Sequence, residues 1–216
     1  MIRRQLLTAV VAMVAFTLLL GLAYPLVVTG ISQVAFNHAA NGSKIEQDGK
    51  LVGSELLGGD YSRPVLAADG TPKKDADGEP VTEPDPRSFQ SRPSVTGYSG
   101  TATYFANRGP NQAATRDLTR QHLQAYLALN APYDPGLTAR DVPIDAVTFS
   151  GSGVDPHISQ ANARIQAHRV AAARKLPLEQ VDRLVEDHTD GRFLGVFGEP
   201  GVNVATLNHA LDQEAR

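Results

Sequence analysis

The chain has 216 residues, 42% hydrophobic, 20% charged and 6% aromatic, with 20 Lys+Arg against 23 Asp+Glu. This composition excludes a wholly disordered chain, a collagen and a coiled coil, and a net charge of −3 leaves no excess of positive charge to hold nucleic acid. The absence of cysteine removes thiolate zinc sites, iron–sulfur clusters, thiol nucleophiles and disulfides together.

Charge is unevenly placed. Arg3 and Arg4 are the only formally charged side chains in residues 1–40, so the other 18 basic and all 23 acidic side chains follow, a net −5 on the remainder. From Leu6 to Tyr24 the chain reads LLTAVVAMVAFTLLLGLAY, and Leu26, Val27 and Val28 extend the apolar run beyond Pro25. A helix of about 20 such residues spans a hydrocarbon core of ~30 Å, and Tyr24 suits an interfacial anchor. Gly21, Ala23, Thr29 and Gly30 are small residues on which a neighbouring helix can pack closely. A cleaved signal peptide that releases a secreted binding module is the competing reading, with Gly21-Leu22-Ala23 as the small-x-small site. The apolar run exceeds the usual ~7–15 residues of such a segment, which favours an uncleaved anchor. Two arginines before the span and none for many residues after it predict a cytoplasmic N-terminus and an extracytoplasmic body. The expected organisation is a membrane anchor over residues 1–36, with its span at about 6–28, and an α/β body over 37–216.

Along the body, Gly30–Phe36 prolongs the helix, Asn37–Asp48 reads as polar and irregular, and Leu51–Leu57 as a short strand or turn. Ser62–Glu83 mixes Pro, Gly and charge, with near-copies Asp69-Gly-Thr-Pro72 and Asp77-Gly-Glu-Pro80. It reads as an inserted surface loop over 62–83 that orders little apolar surface, with a loose hairpin as the alternative. Helices are expected at Ala113–Asn130, at Ser159–Lys175 capped by Ser159, at Pro177–His188 opening on proline, and at Asn203–Glu214 capped by Asn203. Ile144–Phe149 alternates like a half-buried strand, and Phe193–Phe197 is a weaker strand candidate. His168, beside Arg164 and Arg169, reads as part of a solvated basic face.

The densest polar cluster is Ser150-Gly-Ser-Gly-Val-Asp-Pro-His-Ile-Ser159. Ser, Asp and His together raise the possibility of a membrane-anchored extracytoplasmic hydrolase using Ser150 or Ser152 with His157. However, Gly151 and Gly153 flank Ser152 directly, whereas a nucleophile elbow needs glycines two residues away on either side. Ser150, Gly151, Ser152 and Gly153 are the weak nucleotide-binding candidates, because glycines free backbone N–H groups for an anion near a helix start. Against this, no G-x-x-x-x-G-K-[ST] occurs, and none of the five lysines sits in such a turn. The six histidines form no H-E-x-x-H and no pair three to five residues apart, so neither a metal nor a catalytic residue is assigned. A structural turn is the favoured reading, with Asp155 and Pro156 delivering the chain into the helix after Ser159. On that reading Gly151 holds a conformation that valine would resist. Glu199-Pro200-Gly-Val-Asn203 reads as a turn into the last helix.

Taken in order, several stretches resemble one family, the KdpC family, whose members belong to the Kdp potassium-transporting ATPase. They are Gly21-Leu-Ala-Tyr-Pro-Leu-Val-Val-Thr-Gly30, Asn41-Gly-Ser43, Gly53-Ser-Glu-Leu-Leu-Gly58 and Phe89-Gln-Ser-Arg-Pro-Ser94. They continue with the Ser150–Ser159 stretch, Gly191-Arg192 and Gly198-Glu-Pro-Gly-Val-Asn203. Two departures stand out: residues 62–83 look inserted, and Ala106-Asn-Arg-Gly-Pro110 replaces a Ser-Asn-Leu-Gly-Pro pattern. The resemblance implies a non-catalytic subunit of an ATP-driven potassium importer that binds no cofactor alone, ATP and K⁺ being handled by the complex. The implied partners are a K⁺-binding channel-like subunit, a P-type ATPase subunit, a small single-span subunit and membrane lipid. It also implies a catalytic-chaperone role that raises the ATP affinity of the ATPase subunit. Its motif residues, as interface or structural positions, are Gly21, Tyr24, Pro25, Thr29, Gly30, Arg92, Pro93, Ser94, Asp155, Pro156, His157, Ser159, Glu199, Pro200 and Asn203.

Overall fold

The computed structural model describes residues 2–101, 107–109 and 111–214. Ala106 and Pro110, the ends of the altered segment noted above, lie outside the described residues. The chain divides into two units, Met1–Lys44 and Ile45–Arg216.

In the first unit, α1 (Ile2–Leu18) and α2 (Tyr24–Ala35) join through a π-turn at Leu19–Ala23. The cause is Pro25, which has no N–H to donate into the preceding turn. There the Tyr24 N–H reaches back five residues to the Leu19 carbonyl. Ile2–Ala35 is thus one continuous apolar helix with none of its side chains buried, long enough to cross a bilayer and to continue past Gly30 as expected. The Thr8 hydroxyl donates to the Arg4 carbonyl, which satisfies it within the helix. Beyond it lies a single helical turn, α3 (Asn37–Ala40).

The second unit is mixed α and β, as the sequence indicates. β1 (Lys44–Gln47) lies beside β2 (Lys50–Ser54), so part of the Asn37–Asp48 stretch read as irregular is a strand. β3 (Ser62–Pro64) and β4 (Thr82–Pro84) pair antiparallel, with Ser62 opposite Pro84. Between them the chain is a regular ladder rather than a loose loop. Its two near-copies fold alike, with Ala67 N–H to Thr71 O and Gly70 at φ +82°, then Asp75 N–H to Glu79 O and Gly78 at φ +86°. Each Asp-Gly supplies the left-handed turn, and the backbone pairs itself without an apolar core.

α4 (Ala113–Asn130), α5 (Gln160–Arg174), α6 (Leu178–Asp187) and α7 (Val204–Glu214) occupy the four expected helical stretches. Ser159 caps α5 by accepting from Asn162 N–H, and Lys175 closes it in the left-handed region at φ 61°. β5 (His157–Ile158), β6 (Thr189–Asp190) and β7 (Gly201–Asn203) form a small antiparallel sheet with β7 central. The Glu199–Asn203 turn therefore also supplies the middle strand. The core gathers Phe89, Ile158, Val170, Val181, Val185, Val202, Val204, Leu207 and Leu211, from α5, α6, α7, the sheet and the segment around Phe89.

Two strand expectations fail. Ile144–Ala146 is a 3₁₀ turn, its bonds running from Ala146 N–H to Pro143 O and from Val147 N–H to Ile144 O. Pro143 and the engagement of Asp145, described below, favour a turn over an extended run. Phe193–Phe197 is an exposed turn, not a strand.

Candidate functional site

The Phe89–Ser94 stretch and the Ser150–Ser159 loop, far apart in sequence, meet in space. Arg92 donates through Nη1 to Asp155 Oδ2 at 3.2 Å and through Nη2 to the Phe149 carbonyl at 3.1 Å, while its Nε is buried without a partner. Ser94 Oγ donates to the Gly153 carbonyl at 2.6 Å and accepts from Tyr98 N–H at 3.0 Å. The Pro93 carbonyl accepts from Ser150 N–H at 3.3 Å. Thr96 lies against Gly153, whose φ is +76°. Gly153 therefore needs the glycine, both for its conformation and for the close approach of Thr96. Gly151 has an ordinary φ and open space where a Cβ would stand, which corrects the expectation that position 151 resists a side chain.

Within the loop, hydroxyls and backbone N–H groups satisfy one another. Ser150 Oγ, which is buried, accepts from Gly153 N–H at 2.9 Å, and the exposed Ser152 Oγ accepts from Val154 N–H at 3.2 Å. Asp155 Oδ1 accepts from His157 N–H at 3.0 Å. The Val154 carbonyl accepts from Gly58 N–H at 2.8 Å, and the Pro156 carbonyl accepts from Val204 N–H at 2.9 Å. The loop is stitched to three other segments by its own main chain.

His157 lies between two carboxylates. Its Nε2 is 2.8 Å from Asp190 Oδ2, and its Nδ1 is 3.6 Å from Asp155 Oδ1. The Asp155 carboxylate contributes most to raising the imidazole pKa; partial burial opposes it and Asp190 adds to it. Although Asp190 stands closer, it is 72% exposed and hence more screened. Burial alone would raise the Asp155 pKa, but the His157 hydrogen bonds and Arg92 hold it below the usual carboxylate range. Arg92, Asp155, His157 and Asp190 thus form a chain of alternating charge that ties the Phe89–Ser94 stretch to β6.

Ser159 anchors the other end. Asp145 Oδ2 accepts from Ser159 N–H and Oδ1 from Ser159 Oγ, both at 2.8 Å, and Asn162 Nδ2 donates to Oδ2 at 3.0 Å. Behind it, Asn162, Gln166 and Arg169 are buried along α5 at helical spacing. Gln166 grips the Gln90 backbone from both sides, through Gln90 N–H to Oε1 and Nε2 to Gln90 O. Arg169 donates to Asn130 Oδ1 and to the Ser88 carbonyl, each at 2.6 Å. Arg169 is fully buried, which corrects its reading as a solvated basic residue; Arg164 and His168 are exposed. The buried polar stripe Asn162–Gln166–Arg169, at helical spacing on α5, is the signal that sequence reasoning passed over.

The remaining motif residues fall elsewhere. Asn203 Oδ1 caps α7 by accepting from Ala205 and Thr206 N–H, and its Nδ2 donates to the Glu55 carbonyl at 2.7 Å. Glu199 is paired with Arg192 on the surface, and Pro200 leads into β7. Gly21, Tyr24, Pro25, Thr29 and Gly30 all lie on the membrane-length helix of the first unit.

Among the described residues, no hydrogen bond joins Ser150 or Ser152 to His157, so the nucleophile–base pair of a hydrolase is not assembled. Ser150 and Gly151 border a cleft of about 570 Å³, whose lining includes Thr119, His122, Phe149 and Arg108. That volume suits a small ligand, but Arg108 is the only arginine or lysine among its described lining residues. The loop N–H groups of Ser150, Gly153, Val154 and His157 are spent on internal acceptors rather than aimed at an anion.

The family described as K⁺-transporting ATPase, c chain (KdpC) matches residues 6–213. The potassium-transporting ATPase KdpC subunit of Mycobacterium tuberculosis is 41% identical over 214 residues, covering 98% of this chain and 99% of that protein. The subunits of the same description from Sorangium cellulosum and Methylococcus capsulatus are each 43% identical over 207 residues, covering 94% of this chain and 95% of theirs.

Proposed function

This chain belongs to the KdpC family of K⁺-transporting ATPases, and we propose that it serves the potassium-import complex as a non-catalytic, membrane-anchored subunit. Arg3 and Arg4 ahead of the apolar helix support a cytoplasmic N-terminus and an extracytoplasmic Ile45–Arg216 unit. Its partners are the K⁺-binding channel-like subunit, the P-type ATPase subunit, a small single-span subunit and surrounding lipid. ATP and K⁺ are handled by those partners, and this chain holds no cofactor of its own.

The chain assists assembly and raises the ATP affinity of the ATPase subunit without touching nucleotide. The observation that carries this reading is how the Ser150–Ser159 loop is tied in: the Ser150, Gly153, Val154, His157 and Ser159 N–H groups all have protein acceptors, and the Gly153, Val154 and Pro156 carbonyls accept from Ser94, Gly58 and Val204. An extracytoplasmic loop acts on cytoplasmic ATP only through the membrane subunits, as a coupling free energy between two sites. The test is reconstitution of the complex with and without this chain. Omission should lower yield and raise the apparent KM for ATP; a complex that assembles and turns over with the same KM contradicts the reading.

A further inference from the structure

Four of the five residues at 193–197 are large, apolar and open to solvent: Phe193 is 71% exposed, Leu194 76%, Val196 72% and Phe197 64%. Single exposed apolar side chains are ordinary, but a contiguous group of this kind marks a surface that is covered in use. From typical side-chain areas the group presents roughly 500 Å², comparable with the largest patch on a monomer and enough for the centre of an interface between proteins.

The tip is held in shape. Phe193 and Phe197 exchange both backbone hydrogen bonds, N–H to O at 2.8 and 3.0 Å, and Gly195 N–H donates to the Arg192 carbonyl at 2.9 Å. Arg192 Nη2 grips both carboxylate oxygens of Glu199, at 2.9 and 3.1 Å, across the base of the turn. Leu194 has φ +53°, a left-handed conformation that a branched residue resists, so the turn holds a strained leucine at its apex. The root is equally fixed, since β6 and β7 pair on either side and Asp190 is joined to His157. The Ser150–Ser159 loop therefore supports this hairpin directly.

Charge distinguishes the possible occupants. Residues 186–200 carry Glu186, Asp187, Asp190 and Glu199 against one arginine, Arg192, which is already paired. A membrane surface favours lysine and arginine beside an inserted apolar tip and repels an acidic stem. A second copy would bring two acidic stems together. A protein recess of opposite character suits both the apolar tip and its acidic stem.

We propose that residues 193–197 are the plug by which this body docks into an apolar, basic-rimmed recess on another member of the transport complex. The proposal rests on the accessory-subunit reading above and names the surface that carries it. The test places the photo-crosslinking amino acid p-benzoylphenylalanine at Leu194, and at Asp77 as a control, in the full complex purified from membranes. Irradiation should join position 194, not position 77, to another protein of the complex. An adduct with lipid or with a second copy of this chain overturns the proposal, as does no adduct in an intact complex. In parallel, the Phe193→Ser/Phe197→Ser double variant should reduce recovery of partner subunits at least tenfold while the body keeps its thermal unfolding temperature; unchanged recovery overturns it. If the unsubstituted chain brings down no other transport protein, the accessory reading itself fails and the plug with it. An intact complex that ignores position 194 removes the plug alone.

Discussion

His157 reaches Asp190 across a glycine. The sheet register sets Asp190 opposite Gly201 and His157 opposite Asn203, so the imidazole crosses position 201 to place Nε2 2.8 Å from Asp190 Oδ2. A Cβ on Gly201 would stand 3.2 Å from His157 Cβ and 3.3 Å from the ring, too tight for the contact to survive unchanged. The raised imidazole pKa means that the folded state holds the proton more firmly than the unfolded chain does. That stabilisation is complete below the unfolded value of about 6.5 and is lost as pH rises through the folded value. The lowered Asp155 pKa works in the opposite sense, its contribution present above about 3.9 and lost as pH falls through the folded value. Hydrogen exchange of the 189–203 amides, corrected for the intrinsic pH dependence of exchange, should therefore show greatest protection between these limits and lose protection from pH 6 to pH 9. The effect should be under about 1 kcal/mol, because both groups are partly exposed and screened. His157→Gln should flatten the alkaline limb; an unchanged profile in that variant would separate His157 from the effect.

Gly58 is predicted to be the least replaceable glycine around the Ser150–Ser159 loop. A Cβ there would lie 2.5 Å from the Asp155 carbonyl oxygen, a backbone atom that cannot step aside alone. Gly58→Ala should cost about 1–3 kcal/mol in thermal or denaturant unfolding. Gly151→Ala, with open space at its Cβ, should stay within about 0.5 kcal/mol of the parent. A reversed order would contradict the packing described here.

The four helices of the body were legible because their signals are local: Ser159 and Asn203 as caps, and Val181, Leu184 and Val185 on one face of α6. The errors came from long-range partners. Ile144–Phe149 alternates like a strand, but the Asp145 side chain is committed to Ser159, fourteen residues away. Arg169 reads as a surface cation until the carbonyls of Pro86 and Ser88 arrive from a distant segment to receive it. Phe193–Phe197 reads as a strand because an apolar run suggests burial, yet the structure leaves it outside. The motif loop was recognisable as a turn, but its ties to Arg92, Ser94 and Gly58 are tertiary, and no spacing rule announces them.

Arg169 should prove one of the most sensitive positions in the body. Burial pushes its pKa down to about 10, and its donors meet Asn130, Gln166, Pro86 and Ser88. Arg169→Ala leaves these buried acceptors unpaired and should cost about 3–5 kcal/mol in unfolding experiments. Arg169→Lys should recover only part, since an ammonium cannot reproduce the planar fork. Full recovery by lysine would show that charge alone matters there.

Orientation has its own test. Asp77 lies in the exposed ladder between β3 and β4, so a cysteine there should react with a membrane-impermeant maleimide on intact cells lacking an outer-membrane barrier. Labelling only after lysis would reverse the topology and restore direct contact with cytoplasmic ATP.

The most direct test of a structural rather than nucleotide-binding Ser150–Ser159 loop is the K⁺-dependent ATPase activity of the reconstituted complex against ATP concentration, with Ser152→Ala in this chain. The Ser152 hydroxyl accepts one exposed hydrogen bond, from Val154 N–H, worth about 1 kcal/mol or less to the fold. The variant complex should assemble normally and keep an apparent KM for ATP within about twofold of the parent. A rise of tenfold or more, with the complex intact, would contradict the account and place nucleotide at the loop.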